Sequence, residues 1–226
     1  MQLLKNIDDL AYGNLDRDNL AYLNRPDNTF SEYADMWYNI PYPNLKGTER
    51  DIQYIQDTQD AYMQKPNWKK YKKFMMLCDS DIKKVIFTRL NEIGVPFTRK
   101  QADHLEAIQE ELGKMVMMLK SHYQSPRPFQ MGYYTGQDIH PFHTISGNSP
   151  AYPSGHALQS RFLLKLVAQK YPNFKNKIKK LSDDIAFTRI VLGVHYPSDN
   201  LFGFKIADEL ATLPTIRDKY FGGRGR

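Results

Sequence analysis

The sequence predicts an all-α protein that folds as a single-domain helical bundle. Helical periodicity runs through most of the 226 residues, and the alternation of polar and apolar residues that marks strands is missing. The clearest helix begins at Thr98 and carries one apolar stripe, formed by Leu105, Ile108, Leu112, Met115 and Leu119. A chain of this length buries roughly 70–75% of its unfolded surface, which is enough for one core around an enclosed site.

The first part of the chain differs in composition from the rest. Residues 1–47 are rich in Asn, Asp and Tyr, and they contain the turn-prone sequence Pro-Tyr-Pro-Asn near their end. We predict that this segment wraps around the body as short helical pieces and extended chain. Residues 48–226 then make up the helical domain proper, within one structural domain overall.

The other elements are predicted from local start and stop signals. Thr48 opens a capping-box-like sequence, and Pro66 opens a helical stretch that is expected to break near 79–81. The predicted helices cover about 48–63, 66–94, 98–120, 156–171, 173–192 and 197–211. Residues 122–153 are rich in proline and glycine, and a loop of this length in a compact domain is usually functional.

Charge is distributed unevenly along the chain. Residues 1–60 hold 11 acids and 5 bases, whereas the remaining residues hold 14 acids and 26 bases. The basic body would attract a small anionic substrate. Lysine pairs such as Lys69-Lys70 are typical of solvated helix faces, and no nucleic-acid recognition module accompanies them, so nucleic-acid binding is not predicted.

The sequence also bears on cellular location. Cys78 is the one cysteine, which excludes an intramolecular disulfide, and it follows an apolar run typical of the core. The N-terminal residues lack the apolar stretch of a signal peptide, and no run approaches the 18 or so residues of a membrane span. We therefore expect a soluble, cytoplasmic protein, and the sequence leaves the oligomeric state open.

Three clusters in the second half contain the residue types that a phosphate site needs. They are Lys120 with Arg127-Pro128, then Pro153-Ser154-Gly155-His156, and then Arg189 with His195 and Asp199. A glycine at a helix start lets backbone N–H groups approach an anion, and the adjacent serine can donate a further hydrogen bond. The three cations can hold the equatorial oxygens of a phosphoryl group in the transition state.

The spacing of His195 and Asp199 predicts a paired imidazole and carboxylate. Residues four apart lie on one face of a helix, so the carboxylate can accept the Nδ1–H of the imidazole. The other ring nitrogen, Nε2, is then unprotonated and able to act on phosphorus.

The same residues carry a resemblance to a known family. Lys-x6-Arg-Pro, Pro-Ser-Gly-His and Arg-x5-His-x3-Asp resemble the signature of the type 2 phosphatidic acid phosphatase superfamily, over roughly residues 105–210. That family includes class A bacterial acid phosphatases, lipid phosphatases, glucose-6-phosphatase and vanadium haloperoxidases. Its third motif usually opens with Ser-Arg, whereas this chain has Thr188-Arg189, which keeps the hydroxyl.

The resemblance implies both a fold and a division of roles. The fold is the helical bundle of the acid phosphatase and vanadium haloperoxidase type. His195 is implied as the nucleophile that forms a phosphohistidine, oriented by Asp199, and His156 as the general acid and base. Lys120, Arg127, Ser154, Gly155 and Arg189 are implied as the phosphate-binding residues. The lack of a predicted membrane span excludes the integral-membrane lipid phosphatases.

Several functions remain open at this stage. Metal-independent hydrolysis of small phosphate monoesters is the leading hypothesis, with vanadate as an expected inhibitor. The main alternative is a vanadium haloperoxidase, in which vanadate would be the prosthetic group; pyrophosphate or nucleotide hydrolysis and a non-catalytic phosphate-binding module are further alternatives. His140 and His143 could be offered as metal ligands, but only Asp138 lies nearby, so no metal site is predicted.

Overall fold

The structure, a computed structural model, describes residues 11–42, 45–137, 139 and 142–222. These residues form α-helices and two short 3-10 segments and contain no strand, which confirms the all-α prediction. The α-helices are α1 (Arg17–Leu23), α2 (Leu45–Met63), α3 (Trp68–Ser80), α4 (Ile82–Glu92), α5 (Arg99–Tyr123), α6 (Pro128–Thr135), α7 (Gly155–Lys170), α8 (Lys175–Val191), α9 (Pro197–Leu210) and α10 (Pro214–Tyr220). The 3-10 segments are Ser31–Trp37 and Pro172–Phe174.

Two of the predicted helix boundaries lie where expected, and each is stabilised by a capping residue. Asp81 separates α3 from α4, and its side chain accepts the backbone N–H of Lys84 at 2.9 Å. Thr98 caps α5 in a capping box with Gln101, whose side chain accepts the backbone N–H of Thr98 at 2.9 Å. Such caps satisfy backbone donors that a helix start leaves free, and each stabilises a helix by about 1 kcal/mol.

Other boundaries differ from the prediction. α2 begins at Leu45 rather than near Thr48, and α6 lies within the stretch 122–153 that was predicted to be irregular. α10 was not predicted. Both α6 and α10 begin with a proline at the first helical position, where its missing N–H and fixed φ suit a helix start.

The core is built around α7, which packs against α5, α8 and α9. The segment before α2 contributes Phe30, Ala34 and Trp37 to this same core, all buried. The indole N–H of Trp37 donates to the Glu209 carboxylate on α9 at 2.6 Å, which ties the N-terminal segment to the body. None of the helices in the described ranges is both long and apolar enough to cross a bilayer.

The first turns of α7 and α9 lie against each other, and this contact positions the site. An added Cβ on Gly203 would lie 2.8 Å from the carbonyl oxygen of Ser154, so only glycine permits the approach. The backbone N–H of Ser154 also donates to the carbonyl oxygen of Asp199 at 3.1 Å. The second and third sequence motifs are thereby joined directly through their backbones.

Candidate active site

An open pocket of about 320 Å³ lies at the N-terminal end of α7. Five of the eight predicted site residues line it: Lys120, Arg127, Gly155, His156 and His195. The other three, Ser154, Arg189 and Asp199, are fully buried behind that lining. The structure therefore brings all three motifs to one place, with some side chains facing the pocket and others supporting them.

His195 and Asp199 form a buried pair at the start of α9. The imidazole Nδ1 lies 2.9 Å from Asp199 Oδ2, and the same oxygen accepts the backbone N–H of Tyr196 at 3.0 Å. Because a carboxylate oxygen can only accept, Nδ1 carries the proton and Nε2 is left with its lone pair. Burial raises the pKa of Asp199 to about 7, against the opposing effects of the Tyr196 N–H, Lys120 and Arg127.

Arg127 is held rigidly beside the free nitrogen of His195. Its Nε donates to the Ser149 carbonyl at 2.6 Å, and its Nη1 donates to the Val194 carbonyl at 2.7 Å. Nη1 also lies 2.9 Å from His195 Nε2, where a guanidinium can only donate. Burial, followed by Arg127 and Lys120, holds the pKa of His195 well below its ordinary value, so the imidazole is neutral at physiological pH.

Lys120 is the second cation on the pocket wall. Its side chain is buried, and Nζ donates to the carbonyl oxygen of Pro150. Burial and, to a lesser extent, Arg127 lower its pKa well below the ordinary lysine value. A bound anion would raise the pKa of Lys120 again, because its negative charge would offset the repulsion between Lys120 and Arg127.

His156 lies in the first turn of α7 with its tautomer fixed. Its Nε2 is 3.1 Å from the carbonyl oxygen of Cys78, so this nitrogen donates and Nδ1 is the one free to exchange a proton. Burial, then Arg189, lowers the pKa of His156 well below its ordinary value, although Asp79 acts in the opposite direction. Cys78 itself is a buried core residue, as predicted, and burial raises the pKa of its thiol to about 12.

Ser154 caps the same helix. Its Oγ accepts the backbone N–H of Ala157 at 3.3 Å. The N–H groups of Gly155 and His156, which also lie in the first turn, have no acceptor inside the helix. These two groups and the positive end of α7 favour an anion at this point.

Asp79 is a site residue that the sequence analysis missed. Its carboxylate accepts from Arg189 Nη1 at 2.8 Å, from the Ile145 backbone N–H at 2.8 Å and from the Ser146 hydroxyl. Burial alone would raise the pKa of Asp79, but Arg189, Ser146 and Ile145 outweigh it, so the pKa lies below the ordinary value. Arg189 thus reaches the site already paired with a carboxylate.

A signal for Asp79 was present in the sequence. Met75 and Cys78 are both buried on α3, and Asp79 lies four residues after Met75, on the same face of that helix. A carboxylate on the apolar face of a helix is uncommon and usually has a buried cationic partner. His122, two residues after Lys120, does not line the pocket: its side chain is exposed and stacks on Tyr38.

Asp79→Asn is expected to destabilise the fold by about 3–5 kcal/mol, because it leaves Arg189 as a buried charge without its counter-ion. For a chain of this size that corresponds to a fall in Tm of roughly 6–20 °C. Thermal unfolding followed by circular dichroism measures it. Asp103→Asn is the matched control, since Asp103 also forms a salt bridge, with Lys83, but its side chain is 66% exposed. An equal fall in Tm for the two variants would show that the Asp79–Arg189 pair stabilises the fold no more than a surface salt bridge does.

Within the described ranges, no group of three or more His, Cys, Asp or Glu side chains is arranged to hold a metal ion. His140 and Asp138, named above as possible ligands, lie outside the described residues.

Comparison with known proteins adds one finding to this geometry. The model of the PAP2 superfamily matches residues 111–213. That range contains all eight residues predicted from the motifs, whereas Asp79 lies before it. No curated protein matches the chain.

Proposed function

The chain belongs to the PAP2 superfamily, and we propose that its pocket hydrolyses small phosphate monoesters through a phosphohistidine intermediate, without a metal ion. The observation that carries the proposal is the neutral His195, whose Nδ1 is bonded to Asp199 and whose Nε2 lies at the pocket beside Arg127. A neutral imidazole with an oriented lone pair is a nucleophile, and the adjacent cations favour the charge of a phosphoryl group.

In the first step, the phosphate group is held by Lys120, Arg127 and the free N–H groups at the start of α7. Nε2 of His195 attacks phosphorus, and the hydrogen bond from Arg127 Nη1 to Nε2 is replaced by one from Nη1 to a phosphate oxygen. The bond from phosphorus to the ester oxygen breaks, and His156 donates a proton to that oxygen from Nδ1. The products are an alcohol and a phosphohistidine whose positive ring is stabilised by Asp199.

In the second step, the neutral His156 takes a proton from water as the water oxygen attacks phosphorus. The bond between phosphorus and nitrogen breaks, inorganic phosphate leaves, and His195 returns to its neutral form. The balance is one ester and one water converted to one alcohol and one phosphate. Charge on the equatorial oxygens is offset by side chains in both steps, which is the task a divalent ion performs in other phosphatases.

The test is a phosphate-release screen across monoesters, diphosphates and nucleotides in excess EDTA. Hydrolysis should persist in the chelator and fall as vanadate is added, since vanadate resembles the transition state and would be held by the same cations. Loss of hydrolysis in EDTA that a divalent cation restores would count against the proposal. Vanadate-dependent halogenation of a reporter dye with peroxide, without hydrolysis of any monoester, would favour the haloperoxidase alternative.

The dependence of rate on pH should be that of an acid phosphatase. Hydrolysis needs His156 protonated and His195 neutral at the start, and burial lowers the pKa of both below the ordinary histidine value. Lowering the pH therefore increases the fraction of His156 in its acid form, until protonation of Asp199, whose pKa lies at about 7, and then of His195 reduces the rate. We expect kcat/KM, which reports groups of the free enzyme, to peak in the mildly acidic range. A kcat/KM that rises steadily from pH 6 to pH 9 would contradict this assignment.

A further inference from the structure

The charge of the pocket changes sign between its floor and its outer wall. The floor carries Lys120 and Arg127, the only lysine and arginine among the described residues that line the pocket. We define the outer wall as six polar residues from α1, α5, α7 and the loop before α7: Asp18, Asn19, Gln109, Glu110, Asn148 and Gln159. The outer wall therefore has two carboxylates and four amides, and no cation.

The outer wall also offers unused hydrogen-bonding groups. No hydrogen bond engages the Asp18 carboxylate or the Gln109 side chain within the part of the chain that the structure describes. The amide nitrogen of Gln159 donates to the Gln109 carbonyl at 3.2 Å, and that of Asn19 donates to the Asn148 carbonyl at 2.8 Å. The amide oxygens of both side chains remain as acceptors. The outer wall therefore offers more free hydrogen-bond acceptors than donors, and hydroxyl groups are donors that can bind to them.

α1 is fixed over the pocket. The ring of Tyr22 lies against Gly113 on α5, where an added Cβ would come within 2.5 Å of a ring carbon. The Tyr22 hydroxyl donates to the Glu110 carboxylate at 3.2 Å, and Arg25 donates to the same carboxylate at 3.0 Å. These contacts hold Asp18 and Asn19 at the pocket in a defined position.

We propose that this outer wall binds an uncharged leaving group with several hydroxyls, so that the substrates are monophosphates of sugars and polyols. The inference rests on the proposed function and names its substrate class. One phosphate group can pair with both cations of the pocket floor, Lys120 and Arg127. A second phosphate, as in pyrophosphate or a nucleoside diphosphate, would meet the Asp18 carboxylate, which unlike Glu110 is not paired with an arginine among the described residues, and like charges in contact repel. Asp18 and Gln109, whose side chains are unengaged, are the specificity-determining residues.

The experiment compares kcat/KM for a hexose 6-phosphate, p-nitrophenyl phosphate and pyrophosphate. Wild-type protein should prefer the hexose phosphate over pyrophosphate by at least tenfold. Asp18→Lys should lower kcat/KM for the hexose phosphate about tenfold or more, the effect of losing a hydrogen bond to a charged group, and should raise it for pyrophosphate. Gln109→Leu should lower the hexose phosphate value and leave p-nitrophenyl phosphate, which has no hydroxyls on its leaving group, within about twofold.

Asp218→Lys is the matched control, because it makes the same charge change at an exposed position on α10, away from the pocket. It should leave the order of substrates unchanged. Hydrolysis of p-nitrophenyl phosphate together with a preference for pyrophosphate or long-chain alkyl phosphates would overturn the inference and leave the proposed function intact. Equal shifts for all three substrates in Asp18→Lys would also overturn it. Failure to hydrolyse any monoester would overturn both.

Discussion

Replacing His195 by alanine is expected to lower kcat/KM for a phosphate monoester by roughly six powers of ten, the scale of loss when a catalytic nucleophile or its base is removed from an enzyme. The side chain is buried, its Nδ1 is bonded to Asp199 and its Nε2 lies beside Arg127, so no neighbouring group can replace its lone pair. The measurement is the steady-state rate, with folding checked by circular dichroism.

A matched histidine and a trapping experiment make this test specific. His104→Ala removes an exposed imidazole from α5 and should leave the rate unchanged. Rapid quenching of wild-type turnover with a labelled substrate should capture phosphate bound to the protein, and the His195→Ala protein should capture none. A residual rate within a hundredfold of wild type would exclude His195 as the nucleophile.

Asp199→Asn is expected to lower kcat by roughly four powers of ten and to change KM little, as expected when a catalytic histidine takes the wrong tautomer. One oxygen of Asp199 accepts both the Tyr196 N–H and the His195 Nδ1–H, while the other, buried oxygen has no partner among the described residues. In the amide, the oxygen should stay with the Tyr196 N–H or the amine should turn toward Nδ1. The first arrangement keeps the tautomer but removes the negative charge that stabilises the phosphohistidine ring, and the second moves the imidazole proton to Nε2 and removes the nucleophile.

The control for this variant is Asp183→Asn, which alters a surface carboxylate paired with Lys179 on the same helix. A purely structural role for Asp199 predicts a different result, in which Tm and KM change together with kcat. We therefore measure all three quantities. If kcat of Asp199→Asn falls by less than tenfold, Asp199 does not set the tautomer of His195.

The features of the fold that could be predicted are those that depend on residues close together in the sequence. Caps such as Thr98 and Asp81 act over three or four residues, and the stripe of α5 repeats within one helix, so both can be read from a short window. α6 and α10 are only 8 and 7 residues long. Helices of this length are marginal without tertiary packing, and the partners that stabilise them are distant in the sequence.

The site shows the same division. Its motif residues were predicted because their types and spacings are explicit in the sequence, and the structure brings them together at one pocket, while their chemical roles stay predictions. Asp79 could not be assigned to Arg189 from the sequence, because the pair spans 110 residues. The outer wall was likewise beyond prediction, since it draws one or two residues from each of three helices and a loop, whose arrangement is a property of the whole fold.

The position of α3 has a consequence for folding. The carbonyl of Cys78 bonds His156 across 78 positions, and the carboxylate of Asp79 bonds Arg189 across 110. Helices form within microseconds from local contacts, whereas contacts of such long sequence separation form late and are lost early. A chain with all its helices but with α3 undocked would leave His156 free to change tautomer and Arg189 without its partner. Catalytic activity in this protein is therefore a stricter measure of complete tertiary assembly than helix content.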